Sequence, residues 1–149
     1  MRNRILPMIA ALIVSGQAYA QQDTSLRRLA LMERVLNNVH HEMITCAAYF
    51  SAVSACMGNA NDKNGEASYA AASGKMISMA AEIGSSLGLT DDAQGARAKI
   101  EADKIRSALH GNCMNISAII VRHMDRCTTV AENPDAIIQE YEAKFSSAK

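Results

Sequence analysis

Between Arg28 and Met57 the chain sets Leu29, Met32, Leu36, Val39, Met43, Cys46, Phe50, Val53 and Met57 in steps that alternate three and four without a break. Such a row is the apolar seam of an amphipathic helix that must be covered by other helices. Two of the four cysteines, Cys46 and Cys56, lie on this same stretch. One helix is therefore expected to be both the centre of the core and the anchor of the covalent framework.

The first twenty residues read differently. Arg2 and Arg4 precede a short apolar run from Ile5 to Val14, and Ala18-Tyr19-Ala20 supplies a small-x-small cleavage site. This is the pattern of a secretory signal peptide, with an apolar run too short to cross a bilayer. Residues 1–20 are expected to be removed, leaving a single helical-bundle domain over 21–149. Loss of Arg2 and Arg4 turns 15 basic residues into 13 against 15 acidic ones, a net charge of −2. A mature chain without a basic stripe is not expected to bind nucleic acid. No later apolar run is long enough for a transmembrane segment.

Four cysteines in an exported chain read as two disulfides. Proline occurs at Pro7 and Pro134 alone, Trp is absent, and the remainder is rich in strong helix formers. The fold class expected is all-α, a small disulfide-linked bundle of four to five helices after a cleaved leader. Helix 1 would run from about Ser25 to Met57, capped by Asp23 or Thr24. A polar loop over Gly58–Gly65 would lead into helix 2, about Glu66 to Leu87, with Tyr69, Ala72, Met76, Met79, Ile83 and Leu87 inward and Gly88 as its stop. Thr90 or Asp91 would cap helix 3, whose stripe is Ile100, Ile105 and Leu109. Gly111-Asn112 would end it and start helix 4, about Cys113 to Ala131, with Ile116, Ile120, Met124 and Cys127 inward. Asn133-Pro134 is a helix start, and the last helix would bury Ile137, Ile138, Tyr141 and Phe145.

The rise of a helix decides how the cysteines pair. Cys46 and Cys56 are about 15 Å apart along one helix, and a disulfide needs Cα atoms within about 7 Å. That excludes the local pairs Cys46–Cys56 and Cys113–Cys127. If the end of helix 1 is the top, helix 2 descends, helix 3 climbs back, and a turn at Gly111 leaves Cys113 level with Cys56. Helix 4 then descends about 21 Å to put Cys127 beside Cys46. Without that turn Cys127 would end far above Cys46. The expected bridges are Cys46–Cys127 and Cys56–Cys113.

Cys46 and Cys56 also have the spacing of the Cys-x9-Cys motif, and in pairing style the chain resembles helical-hairpin proteins that carry it. Cys113 and Cys127 are spaced differently, with thirteen residues between them. The resemblance implies a disulfide-stapled scaffold and no particular activity.

Three motifs suggest chemistry. His41-Glu42-Met43-Ile44-Thr45 opens like a zinc-protease helix, but Thr45 stands where the second histidine ligand is needed. Gly84-Ser85-Ser86-Leu87-Gly88 spells Gly-x-Ser-x-Gly, yet at a helix end rather than on the strand-to-helix turn that the motif requires. Ala60–Ala71 centres on Gly65 like a calcium loop but lacks its acidic first and last positions. A fourth pattern sets imidazole near sulfur: His41 and Met43 before Cys46, His110 before Cys113 and Met114, His123 and Met124 before Cys127. Such donors suit copper or zinc, but bridged cysteines have no thiolate to offer a metal.

No catalytic residue, metal ligand or cofactor is assigned. The function expected is that of a non-enzymatic bacterial envelope protein, periplasmic or secreted, that binds an unidentified protein partner through a helix face. The alternative is a periplasmic copper- or zinc-binding protein using those His, Met and Cys side chains.

Overall fold

The computed structural model describes residues 6–147, with side chains from Thr24 onward; Arg2, Arg4 and Ile5 of the expected leader lie outside the described residues. Among the described residues there are five α-helices, one 3-10 turn and no strand: α1 (Leu6–Asn59), α2 (Lys63–Ser86), α3 (Asp91–Leu109), the turn Cys113–Asn115, α4 (Ile116–Glu132) and α5 (Pro134–Ser147). The protein is an all-α bundle stapled by two disulfides.

α1 passes through Asp23 and Thr24 without a break, so neither is the cap expected of it. Its central seam is the core. Val35, Val39, Met43, Cys46, Tyr49, Phe50, Val53 and Cys56 are all buried. α2 follows after a shorter loop than expected, because Asp62 accepts a hydrogen bond from the Gly65 amide and starts the helix at Lys63. Asn64 and Gly65 thus belong to the first turn of α2. Lys63 pairs with Glu66 at 2.8 Å, so the calcium-like stretch is a helix start held by its own ion pair.

α2 runs down α1. Ser54 Oγ donates to Glu66 O at 2.8 Å near the top, and Ser73 Oγ donates to Ala47 O at 3.0 Å further down. The helix stops in a Schellman arrangement: Gly88 N–H donates to Ser85 O at 3.0 Å and Leu89 N–H to Gly84 O at 2.9 Å. Gly88 takes φ +71°, the left-handed conformation that only glycine adopts without cost. Gly84-Ser85-Ser86-Leu87-Gly88 is therefore a helix terminus, and Ser86 Oγ is bonded back to Glu82 O.

Thr90 caps α3 as expected, accepting from Ala93 N–H. α3 climbs α1, with Arg97 near Asn37 and His40, then Glu101 near Thr45. It ends at His110, which is itself left-handed at φ 49°, followed by Gly111 at φ +68°. Two consecutive left-handed residues reverse the chain at the expected point. Asn112 then caps a 3-10 turn, accepting from Met114 N–H at 2.9 Å, so α4 begins at Ile116 rather than Cys113. The turn sets Cys113 against Cys56, with Cα atoms 5.4 Å apart, and α4 descends to bring Cys127 to Cys46 at 5.2 Å.

Four inward positions differ from expectation. Leu29 and Met32 are exposed, Ile100 is exposed, and Met124 gives way to Ile119 and Val130 on the buried face of α4. Below Cys46, α1 is covered by α5 from Glu42, bonded by Tyr141, down to Arg34, which lies over the Phe145 ring 5.4 Å from its centroid; Ile137 and Tyr141 are buried in this contact.

Candidate functional site

Each residue singled out in the sequence has a structural place. The four cysteines are consumed in the two bridges, and no free cysteine is present among the described residues. His41 is exposed, with Nδ1 3.9 Å from a Glu101 oxygen. His110 forms the left-handed end of α3. His123 is packed against the Tyr49 ring at 5.8 Å. Burial, then the charge of Arg122, lowers the His123 pKa below its ordinary value, against opposing pulls from Glu101 and Glu42. These imidazoles do not converge. Among the described residues no three His, Cys, Asp or Glu side chains come together in a way that could hold a metal ion.

Glu42, the second residue of the protease-like motif, is engaged elsewhere. Arg126 donates to it from Nε at 3.1 Å and from Nη2 at 3.0 Å, and Tyr141 OH donates at 2.7 Å. Burial would raise the Glu42 pKa, but these hydrogen bonds and the Arg126 charge outweigh it and hold the carboxyl below its ordinary range. Burial and the bond to Glu42 push Tyr141 up to about 12. The group ties α4 and α5 to α1 one turn below Cys46.

Two features escaped the sequence reading. The first is an apolar groove between α2 and α3, floored by α1. Its lower reach is about 360 Å³ and is lined by Ile44, Ala47 and Ala48 of α1, Ile77, Ala80 and Ala81 of α2, and Asp91, Gln94, Gly95 and Ala98 of α3. A second reach of about 390 Å³ shares Ala48, Ser51 and Ala102 and continues up to Cys113. The groove exists because its walls are alanine and glycine, too small to fill the space between the helices. The Ser73 hydroxyl on its wall is turned to Ala47 O, which leaves the interior apolar. α2 and α3 meet at the lower end, where a methyl group on Gly84 would collide with the Gln94 amide. The only local signal was the density of Ala in 47–55 and 93–102.

The second feature is the part of α1 below Val35. From Thr24 to Ala30 every residue is exposed, and the apolar seam continues through it at Leu26 and Leu29. Leu26 is 58% exposed, Leu29 67% and Met32 37%, whereas Val35 and Val39 on the same stripe are 0% exposed. Between Ser25 and Val35 this arm extends about 15 Å. Among the described residues no helix is long and apolar enough to cross a membrane.

Comparison with known proteins gives no match to a family, to a curated protein or to a solved structure.

Proposed function

We propose that this is an exported, non-enzymatic protein of the bacterial envelope that works by presenting a helix face to a partner protein. The observation that carries this reading is the continuation of the α1 seam past the end of the bundle. A stripe that is fully covered at Val35 and Val39 runs on uncovered through Met32, Leu29 and Leu26. Three large apolar side chains at helical spacing are an anchor pattern for helix-in-groove recognition. Two disulfides support a site of action outside the cytoplasm, where such bonds persist. The leader pattern over residues 1–20 supports the same location, periplasmic or secreted. The small net negative charge of the chain from Gln21 argues for a protein partner over nucleic acid.

The test is position-specific photo-crosslinking in the intact envelope of the native host. A crosslinker at Leu29 should give a discrete adduct, and one at Met114, 86% exposed beside the Cys56–Cys113 bridge at the other end of the bundle, should give none. Absence of any adduct at Leu29, or identical adducts at both positions, overturns the reading. Intact mass of the same fraction should show a chain beginning at Gln21.

A further inference from the structure

The α2–α3 groove is a slot with one closed end and a charge at each end. Gln94 shuts it at the bottom: its side chain fills the space beside Gly84, and its Nε2 donates to Leu89 O at 3.4 Å. Toward the top the slot opens out, since no α2 residue lines the upper reach. The floor from Ile44 to Cys56 covers about 18 Å of helix rise. Among the described residues that line the two reaches, Arg106 near the top is the only cation and Asp91 at the bottom the only anion. We propose that this slot binds a long-chain fatty acid, its methyl end against Gln94 and its carboxylate beside Arg106.

Length, shape and charge support this occupant. The floor is as long as an extended palmitoyl chain, and reaches of about 360 and 390 Å³ are of the size that takes small molecules. A helix, about 10 Å across, cannot follow the slot down to where α2 and α3 touch, whereas a hydrocarbon chain can. Ile77 on the α2 wall is 58% exposed, and a chain in the lower reach covers it. Charge sets the direction. Arg106 Nη1 donates to Asp103 at 2.6 Å, and Lys99 donates to the same carboxylate at 2.7 Å, so the trio carries one net positive charge at the upper mouth. Nε and Nη2 of Arg106 remain for the carboxylate of the ligand, in a charge-assisted and forked pair. Asp91, with Asp92 beside it on the first turn of α3, repels a carboxylate from the lower end. The slot is separate from the exposed stripe of α1 and does not depend on it.

The experiment is equilibrium dialysis of the oxidised protein against radiolabelled palmitate kept below its micelle concentration. One palmitate should bind per chain. Caprylate fills the lower part of the slot alone and should bind roughly a hundredfold more weakly, as the loss of several buried methylenes requires. Gly95→Leu puts a side chain into the lower reach. The Cβ position of Gly95 is open, so the variant should keep its helicity and both disulfides while its affinity for palmitate falls roughly tenfold or more. Arg106→Gln should weaken palmitate about tenfold and leave methyl palmitate, which carries no charge, unchanged. Leu29→Glu, on the α1 stripe, should leave palmitate binding as it is. No binding, or binding that ignores both Gly95→Leu and Arg106→Gln, overturns the proposal. Loss of binding in Leu29→Glu overturns it by placing the fatty acid on the stripe. A protein adduct from a crosslinker at Ala98 in the intact envelope overturns it by placing a partner protein in the slot.

Discussion

Arg126 grips Glu42 with two of its nitrogens, Nε at 3.1 Å and Nη2 at 3.0 Å, across 84 residues of sequence and one helical turn from the Cys46–Cys127 bridge. Its remaining Nη1 donates to Glu140 at 2.6 Å. The guanidinium is thus a three-way clamp between α1, α4 and α5, beside a covalent one. Glu42→Gln should destabilise the protein by about 1–3 kcal/mol, the usual worth of a hydrogen bond to a charged group in a partly buried site. Because the folded Glu42 pKa is depressed, its contribution is complete above the ordinary carboxyl value of 4.5 and is lost as pH falls below that. Chemical denaturation from neutral to acid pH should show the variant's deficit shrinking in that window.

His40 is fully buried, its Nδ1 is 3.4 Å from Arg97 Nη1, and its Nε2 has no hydrogen-bond partner. Burial, then the Arg97 charge and that of His41, lowers its pKa below 6.5, against the nearby Gln94 side chain, which pulls the other way. The folded state therefore holds this imidazole neutral, and protonation favours the unfolded chain. Its stabilising effect is complete above pH 6.5 and is lost as pH falls below that value. His40→Leu should flatten the decline, and should raise stability at neutral pH by about 1 kcal/mol by removing an unsatisfied buried nitrogen. A steeper decline in the variant would show that the imidazole is not the group responsible.

The two disulfides should differ in kinetics more than in energy. Cys46 and Cys127 are each 1% exposed, whereas Cys113 is partly exposed and its sulfur accepts from Asn59 Nδ2. Limiting reductant should free Cys56 and Cys113 first, read by alkylation and peptide mapping. Replacing Cys46 should leave Cys127 as the free thiol, replacing Cys56 should leave Cys113, and each loss should cost about 2–5 kcal/mol. The separations of 81 and 57 residues predict a chain-entropy difference of only about 0.3 kcal/mol between them.

His110 sits at φ 49° with its side chain exposed, a conformation that costs a side-chain-bearing residue about 1–2 kcal/mol. His110→Gly should therefore be neutral or stabilising by up to about 1 kcal/mol in equilibrium unfolding. A marked loss would reveal an interaction of the ring that the turn geometry does not need.

The pairing of the cysteines was legible because it depends on heights, and the rise of a helix is fixed whatever it packs against. The Gly88 stop, the Thr90 cap and the reversal at Gly111 were legible because they are local chemistry. The exposure of Leu29 and Met32 was not, because periodicity marks a face without saying whether a partner is long enough to cover it. α2 spans 24 residues against 54 in α1, and it turns back before reaching them. The phase of α4 was misjudged at Met124 for a related reason: several apolar residues lie on adjacent stripes, and the Cys127 bridge selects the one containing Ile119 and Val130. The buried Glu101, held by Lys104 at 2.6 Å, has the sequence context of a solvated face. The groove was invisible because a missing side chain leaves no pattern.

The central claim is that the exposed apolar stripe of α1 through Leu26, Leu29 and Met32 is a binding face for a partner protein. Position-specific photo-crosslinking in the intact envelope tests it most directly. Crosslinkers at Leu26 and Leu29 should give the same discrete adduct, and one at Met114, 86% exposed near the Cys56–Cys113 bridge, should not. No adduct from the stripe, or the same adducts from Met114, would contradict it.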